Sequence, residues 1–380
     1  MRTSALIAVS AGTAAALTLG GCGGDSAGDG KPAAAGNGKI AVTATDTECK
    51  VEKTEVAAGA VTFTVSNKGA KVTEFYVYAS GDRIMGEVEN VAPGLSRELI
   101  VELPAGTYET ACKPGMIGKG IRGGFKATGE AKALTDDAKL AQATQDYQRY
   151  VKSQTGALID KTTEFVDAVK AGDIEKAKTL FPIARTYWER IEPVAESFGD
   201  LDPAIDAREA DLEAGEEWTG FHKIEKDLWV AKDVSKSGPT ADKLLADVKT
   251  IVEKANSVQL SPLNLANGAK ELLDEVATGK ITGEEDIFSH TDLWDFAANL
   301  EGSRAAIAAL RPVIEEKDAT LAKSLDEKFA AAQAELDKHR NGDGWKFHNE
   351  LSEGDLKALA DAINALAEPI SKVAPLVAGK

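Results

Sequence analysis

Val61-Thr-Phe-Thr-Val65, Phe75-Tyr-Val-Tyr78 and Glu98-Leu-Ile-Val-Glu-Leu103 alternate their side chains with the period of a β-strand. Turn signals separate them: Asn67-Lys-Gly69, Ser80-Gly-Asp82, Ala92-Pro-Gly94 and Pro104-Ala-Gly106. Short strands at this spacing predict a β-sandwich over residues 39–130. The grammar changes near Glu130. From Leu134 onward the chain is rich in Ala, Leu, Lys, Glu and Asp with helical periodicity. Helices are predicted near 135–170, 173–198, 216–231, 240–257, 263–278, 289–312, 317–339 and 354–378, with stops such as Lys236-Ser-Gly-Pro239 and Asn341-Gly-Asp-Gly344. The fold class is therefore multidomain: a β domain, then an all-α helical bundle over 131–380.

Upstream, Arg2 precedes an apolar run from Ala5 to Leu19 and the sequence Leu19-Gly-Gly-Cys22. The run is too short for a membrane span, which needs ~20 residues. Its ending resembles a bacterial lipobox. The expectation is a lipoprotein signal peptide at 1–21, a lipid anchor on Cys22 and a flexible tether at 22–38 made mostly of Gly, Ala, Ser and Asp. This predicts an extracytoplasmic protein, at the cell surface or in the periplasm, held to the cell membrane by its lipid alone.

The chain carries 44 Lys and Arg against 61 Asp and Glu, a formal charge of −17. Loss of residues 1–21 removes one base and no acid. Nucleic acid is excluded as a partner on this balance, and cations are drawn to the surface.

In the β domain, Pro104-Ala-Gly-Thr-Tyr-Glu-Thr-Ala-Cys-Lys-Pro-Gly-Met-Ile-Gly-Lys119 resembles the end of a cupredoxin. A blue-copper centre needs two histidines and a cysteine. The four histidines stand at 222, 290, 339 and 348, so this domain has none. The shape is expected without the copper set. Cys49 and Cys112 remain after Cys22. They read as a disulfide, worth ~4 kcal/mol in the chain-entropy model, or as thiolates of a metal site with Glu74 and Glu89. Met116 reads as a packed loop residue.

In the helical domain, Trp218-Thr-Gly-Phe-His-Lys-Ile-Glu-Lys-Asp-Leu-Trp229 puts His222 and Glu225 on one helix face. Glu189 and Glu192 form another pair at that spacing, and neighbouring carboxylates repel unless a cation or proton lies between them. Asp206 follows, and Thr282-Gly-Glu-Glu-Asp286 and Ser289-His-Thr-Asp292 bring Glu284, Glu285, His290 and Asp292 to a helix start. Carboxylates with one imidazole suit iron or manganese and tolerate zinc.

These residues resemble the EfeO family of extracytoplasmic iron-uptake components and, more broadly, the imelysin-like helical family. The motifs are the Trp218–Trp229 stretch, Arg190-Ile-Glu-Pro-Val-Ala-Glu196, Asp202-Pro-Ala-Ile-Asp-Ala-Arg-Glu209 and Thr282-Gly-Glu-Glu-Asp-Ile-Phe-Ser-His-Thr-Asp-Leu-Trp-Asp295. The resemblance implies a cupredoxin-like Greek-key sandwich followed by an imelysin-like domain with an HxxE motif at His222 and Glu225. It implies iron, ferrous or ferric, as the bound metal, with copper or zinc as further candidates. Its ligands would be Glu189, Glu192, Asp206, His222, Glu225 and Glu285, or Glu284 in place of the last. A second site would use Cys49, Glu74, Glu89 and Cys112. The partners implied are a membrane iron permease and a haem peroxidase. An enzyme is not expected. A zinc peptidase needs His-Glu-x-x-His, and position 226 is Lys226. The alternatives are an imelysin-like metallopeptidase and cation-dependent binding of acidic polysaccharide.

Overall fold

A computed structural model describes residues 39–130, 133–199, 201–212 and 214–379. The expected signal peptide, Cys22 and the tether lie outside the described residues.

Nine strands make the β domain: β1 (Ile40–Ala44), β2 (Cys49–Val51), β3 (Glu55–Ala57), β4 (Gly59–Asn67), β5 (Thr73–Tyr78), β6 (Ile84–Val91), β7 (Ser96–Leu103), β8 (Gly106–Pro114) and β9 (Ile121–Thr128). One sheet has the order β2-β1-β4-β7 and the other β3-β9-β8-β5-β6. β1 runs parallel to β4, and β3 parallel to β9; the remaining pairs are antiparallel. β4 pairs with β7 in one sheet while the hairpin β5–β6 between them lies in the other, the crossover of a Greek key. Phe63, Phe75 and Phe125 meet in the core, with ring centroids 5.2 and 5.3 Å apart.

A disulfide joins Cys49 in β2 to Cys112 in β8 and so ties the two sheets together. This corrects the four-residue metal site. The sulfurs are bonded to each other and are not thiolates. Cys112 is buried with Phe75 in the sandwich core, whereas Glu74 and Glu89 share the hydroxyl of Tyr76 on the outer face of the same sheet. Alternation along β5 sends residues 74 and 76 to the side opposite 75. Met116 is also not a packed residue: it is 40% exposed.

β5 departs from a simple alternating strand. All six of its residues are buried, because the outer face is covered too. Tyr76 and Tyr78 stack there with centroids 5.4 Å apart, under Lys113 and Arg122.

The helical domain contains α1 (Ala138–Lys170), α2 (Ile174–Glu189), α3 (Glu192–Ala195), α4 (Leu201–Asp206), α5 (Gly220–Lys226), α6 (Gly238–Ser257), α7 (Pro262–Thr278), α8 (Asp292–Lys317), α9 (Ala319–Asp337), α10 (Glu353–Ile370) and α11 (Val373–Val377). Local signals start several of them. Asp137 caps α1 by accepting from the N–H groups of Lys139 and Leu140, and Ser261 caps α7 ahead of Pro262. α1 packs on α2 and α6, and α7 on α8, around one apolar core. Among the described residues no helix is long and apolar enough to cross a membrane.

The two domains touch along β6, β7 and α7. Arg97 Nη1 is 2.9 Å from Asp274 Oδ2, and Asn267 Nδ2 donates to the Ile100 carbonyl at 2.9 Å. Ile100 itself packs into the helical core.

The disulfide predicts that native protein resists thiol alkylation at Cys49 and Cys112 until a reductant is added, as read by peptide mass spectrometry. Modification of both residues without reductant refutes it.

Candidate metal centre

Local features of the sequence place each segment of the site. α2 stops at Glu189 because Pro193 has no N–H for the Glu189 carbonyl and its ring would clash with that oxygen. Asn299 Nδ2 takes the carbonyl instead at 3.2 Å, and the chain restarts as α3 at Glu192. The break turns Glu189 and Glu192 toward one ammonium, that of Lys280.

Trp218-Thr-Gly220 fastens α4 to α5. Trp218 Nε1 donates to the Ala207 carbonyl at 2.8 Å and Thr219 Oγ1 to the Ala204 carbonyl at 2.7 Å. Gly220 has φ +86°, and a Cβ there would lie 2.1 Å from the Ile205 oxygen, so α5 can begin here only on glycine. This clamp sets Asp206, the last residue of α4, 3.4 Å from His222 Nε2 in the first turn of α5.

The loop over 283–291 supplies the third wall. The Asp286 N–H donates to Asp292 Oδ1 at 3.1 Å, and Thr291 Oγ1 bonds Asp286 Oδ2. His348 meets the Ile281 carbonyl at 3.0 Å, and its backbone N–H donates to the His290 carbonyl at 2.8 Å, so both ends of the loop are held.

At the centre lies Arg185, fully buried. Its guanidinium bonds Asp206 and Glu189, stands 2.9 Å from Glu285 Oε1, 3.2 Å from Asp295 Oδ2 and 3.3 Å from Asp286 Oδ1. Lys280 Nζ bonds Glu189 and lies 3.0 Å from both Glu192 Oε2 and Glu275 Oε2. His222 Nδ1 is 3.1 Å from Glu225 Oε2, while Nε2 is 3.5 Å from Glu285 Oε1. Eight carboxylates thus share three buried cationic side chains, and Arg208 adds a fourth cation 3.7 Å from Glu285 Oε2. The excess of acid leaves two outcomes for the surplus: protonation, or a further cation.

The pKa shifts divide the carboxyls accordingly. Burial, with Glu189 and Glu275 close by, pushes Glu192 well above the usual range. Burial does the same to Asp286 and Asp295, and Arg185 only partly offsets it. For Glu285 burial is outweighed by Lys280, His222 and Arg185, which hold it well below the usual range. Glu189 is lowered in the same way by Lys280 and Arg185 against burial. Burial and Arg185 work against protonation of His222, and the carboxylates of Glu225, Glu285 and Asp206 overcome both, setting its pKa at about 10.

Three groups of side chains hold their donor atoms within 4.8 Å of one another: Asp206, His222 and Glu285; His222, Glu225 and Asp286; and Glu189, Glu192 and Asp206. The first two use opposite edges of one imidazole. On the Nδ1 edge, Glu225 is already engaged at both oxygens, since Oε1 accepts the N–H groups of Phe288 at 3.1 Å and Ser289 at 2.7 Å. On the other edge, Nε2 is buried without a hydrogen-bond partner. Asp206 and Glu285, which flank it, line a cavity of about 320 Å³. Glu192, Glu275 and Lys280 line the same cavity, and so do Glu74, Tyr76 and Glu89 from the β domain. An oxygen-rich pocket, with an imidazole nitrogen behind two of its carboxylates that becomes a donor once deprotonated, fits a hard or borderline divalent cation.

All six residues expected in the helical domain therefore gather in one cluster. Glu284 stands at its rim, 3.1 Å from Arg208. Sequence reasoning missed Arg185, Glu275, Lys280, Asp286 and Asp295. Arg185 had a signal, lying four residues before Glu189 on the same helix face. Lys280 had none.

The imelysin family model, whose label also names a peptidase, matches residues 143–373, and a cupredoxin-like domain model matches residues 7–124. The iron uptake system component EfeO of Escherichia coli O157:H7 is 38% identical over 344 residues, covering 88% of this chain and 90% of that protein. The EfeO proteins of Escherichia coli strain K12 and Shigella flexneri match to the same extent.

Replacing Arg185 by Met leaves four buried carboxylates and the partly buried Asp206 without their shared partner. Loss of one partner of a buried ionic pair costs about 3–5 kcal/mol. Chemical denaturation of Arg185→Met is expected to show a loss of that size, and unchanged stability refutes the role of Arg185 as the hub.

Proposed function

Because the chain belongs to the imelysin family and, within it, to the EfeO iron uptake components, we propose that it captures iron outside the cytoplasm at the His222 cluster and passes it to a membrane permease. One observation carries the reading: His222 is 1% exposed, and its buried Nε2 lacks a hydrogen-bond partner while lying 3.4 Å from Asp206 Oδ1 and 3.5 Å from Glu285 Oε1. Two carboxylates and an imidazole offer a ferrous ion a mixed oxygen and nitrogen set, and the cavity that the two carboxylates line gives it a way in and out.

In this reading His222, Asp206 and Glu285 are ligands, and Glu225 is a positioning residue. Its bond to Nδ1 orients the ring and raises the basicity of Nε2, as a carboxylate behind a metal-bound histidine does. Glu192 at the cavity wall and Glu189 buried behind it are reserve oxygens. Glu74 and Glu89 line the mouth from the cupredoxin-like domain, so the acidic path is built by both domains. Lipid attachment at Cys22 keeps the cargo site near the permease, and a haem peroxidase is the second companion.

The competing reading is peptidase action, suggested by the label of the family model. It asks for a metal-bound water and a free general base. Glu225, the carboxylate of the motif, is engaged at both oxygens by His222 and two backbone N–H groups, which leaves it unsuited to that task. Cleavage of a peptide library that vanishes in His222→Ala is the result that favours the peptidase.

Anaerobic titration calorimetry with ferrous iron is the test. His222→Ala is expected to abolish binding, and Glu225→Gln to weaken it roughly 10–100-fold. Undiminished binding by His222→Ala sinks the site.

A pH dependence follows as well. With its pKa at about 10, His222 is protonated at neutral pH, so iron must displace that proton. Affinity should rise between about pH 6 and 8, and heats measured in buffers of different ionisation enthalpy should report proton release. Binding that neither strengthens with pH nor releases protons contradicts the use of Nε2.

A further inference from the structure

Three carboxylates of this cluster already hold a cation, and it is part of the chain. Lys280 is 4% exposed, and its Nζ contacts Glu189 Oε2, Glu192 Oε2 and Glu275 Oε2. Glu189 and Glu192 belong, with Asp206, to one of the groups whose oxygens are close enough to surround a metal ion. The ammonium is thus bonded to oxygens that an incoming ion would use.

The two buried cations of the cluster differ in their freedom. Arg185 is a rigid planar fork engaged by carboxylates of α2, α4, α8 and the 283–291 loop, and it cannot leave without breaking contacts on every side. Lys280 is a point charge on a flexible stem, in the short turn Lys280–Thr282 that follows α7. It also lines the cavity, so its head has somewhere to go, with Glu284 and Glu285 on the same wall. A divalent ion at Asp206, His222 and Glu285 repels the ammonium across a poorly screened interior.

We infer that Lys280 is a tethered counter-cation of the iron site: it holds Glu189 and Glu192 when iron is away and swings into the cavity when iron arrives. This rests on the reading of the cluster as an iron site. Its consequence is reversibility. Glu189 and Glu192 can join Asp206, His222 and Glu285 around the ion only in the fraction of molecules whose lysine has moved, so the affinity that these extra oxygens supply is reduced by that fraction, and the returning ammonium helps expel the ion. A carrier that must release its cargo to a permease gains from such a competitor.

Two measurements test it, with Mn²⁺ as a redox-stable probe of the same ligand preference. First, Lys280→Met is expected to bind Mn²⁺ about tenfold more tightly than wild type or better, because the competing cation is gone. Equal or weaker binding by a variant with native circular dichroism overturns the inference. Second, wild-type protein is treated with an amine-reactive reagent and Lys280 followed by peptide mass spectrometry, which requires no variant to fold. Lys280 is expected to be protected without metal and labelled at saturating Mn²⁺. Protection that saturating Mn²⁺ leaves unchanged or increases overturns the inference. Failure of the wild type to bind either Mn²⁺ or ferrous iron refutes the site and the counter-cation together. Binding without a response of Lys280 refutes the counter-cation alone.

Discussion

The guanidinium of Arg185 draws together carboxylates of α2, α4, α8 and the loop before α8, segments that lie far apart along the chain. A buried charge of either sign is costly alone, and each becomes tolerable only in the presence of the other. The arginine therefore fixes where Asp206 and Glu285 stand, and with them the two carboxylates that flank His222. Around this hub the backbone makes matching concessions. Pro193 interrupts α2, Gly220 lets α5 start against the Ile205 carbonyl, and Asn299 takes the carbonyl that the broken helix leaves free.

In the proposed reading the surplus of acid is the part that serves iron. Four cationic side chains, Arg208 included, cannot neutralise eight carboxylates, so burial favours protons on some of them, and the proposed iron would answer the rest. The cupredoxin-like domain borders the same cavity although it contains no histidine for a copper centre. Its cysteines serve the fold as a disulfide between sheets, while Glu74 and Glu89 on the outer face border the cavity. The sandwich contributes Glu74, Tyr76, Glu89 and Lys113 to the cavity wall, and burial pushes both of these glutamates above the usual carboxylate range.

Much of the fold was legible residue by residue. Alternation placed β4 and β7, and apolar periodicity with caps placed α6, α7 and α9 within a few residues. The misreadings have definite causes. The predicted helix over 173–198 ignored Pro193, and the structure breaks there. The helix predicted from 216 begins only at Gly220, since Trp218 and Thr219 are occupied in clamping α4. β5 read as an alternating strand, yet both faces are covered because Lys113 and Arg122 lie over its two tyrosines.

The sequence by itself determined the two-domain order, the absence of a copper set, and the pairs Glu189–Glu192 and His222–Glu225, because each rests on near neighbours in the chain. Only the tertiary structure decided that these pairs meet, that Glu225 supports His222 from behind while Nε2 faces Asp206 and Glu285, and that Arg185 and Lys280 occupy the centre. The physical reason is desolvation. A charge acquires its partner and its pKa from groups that packing brings within a few ångströms, and for Lys280 those groups include acids about ninety residues earlier in the chain.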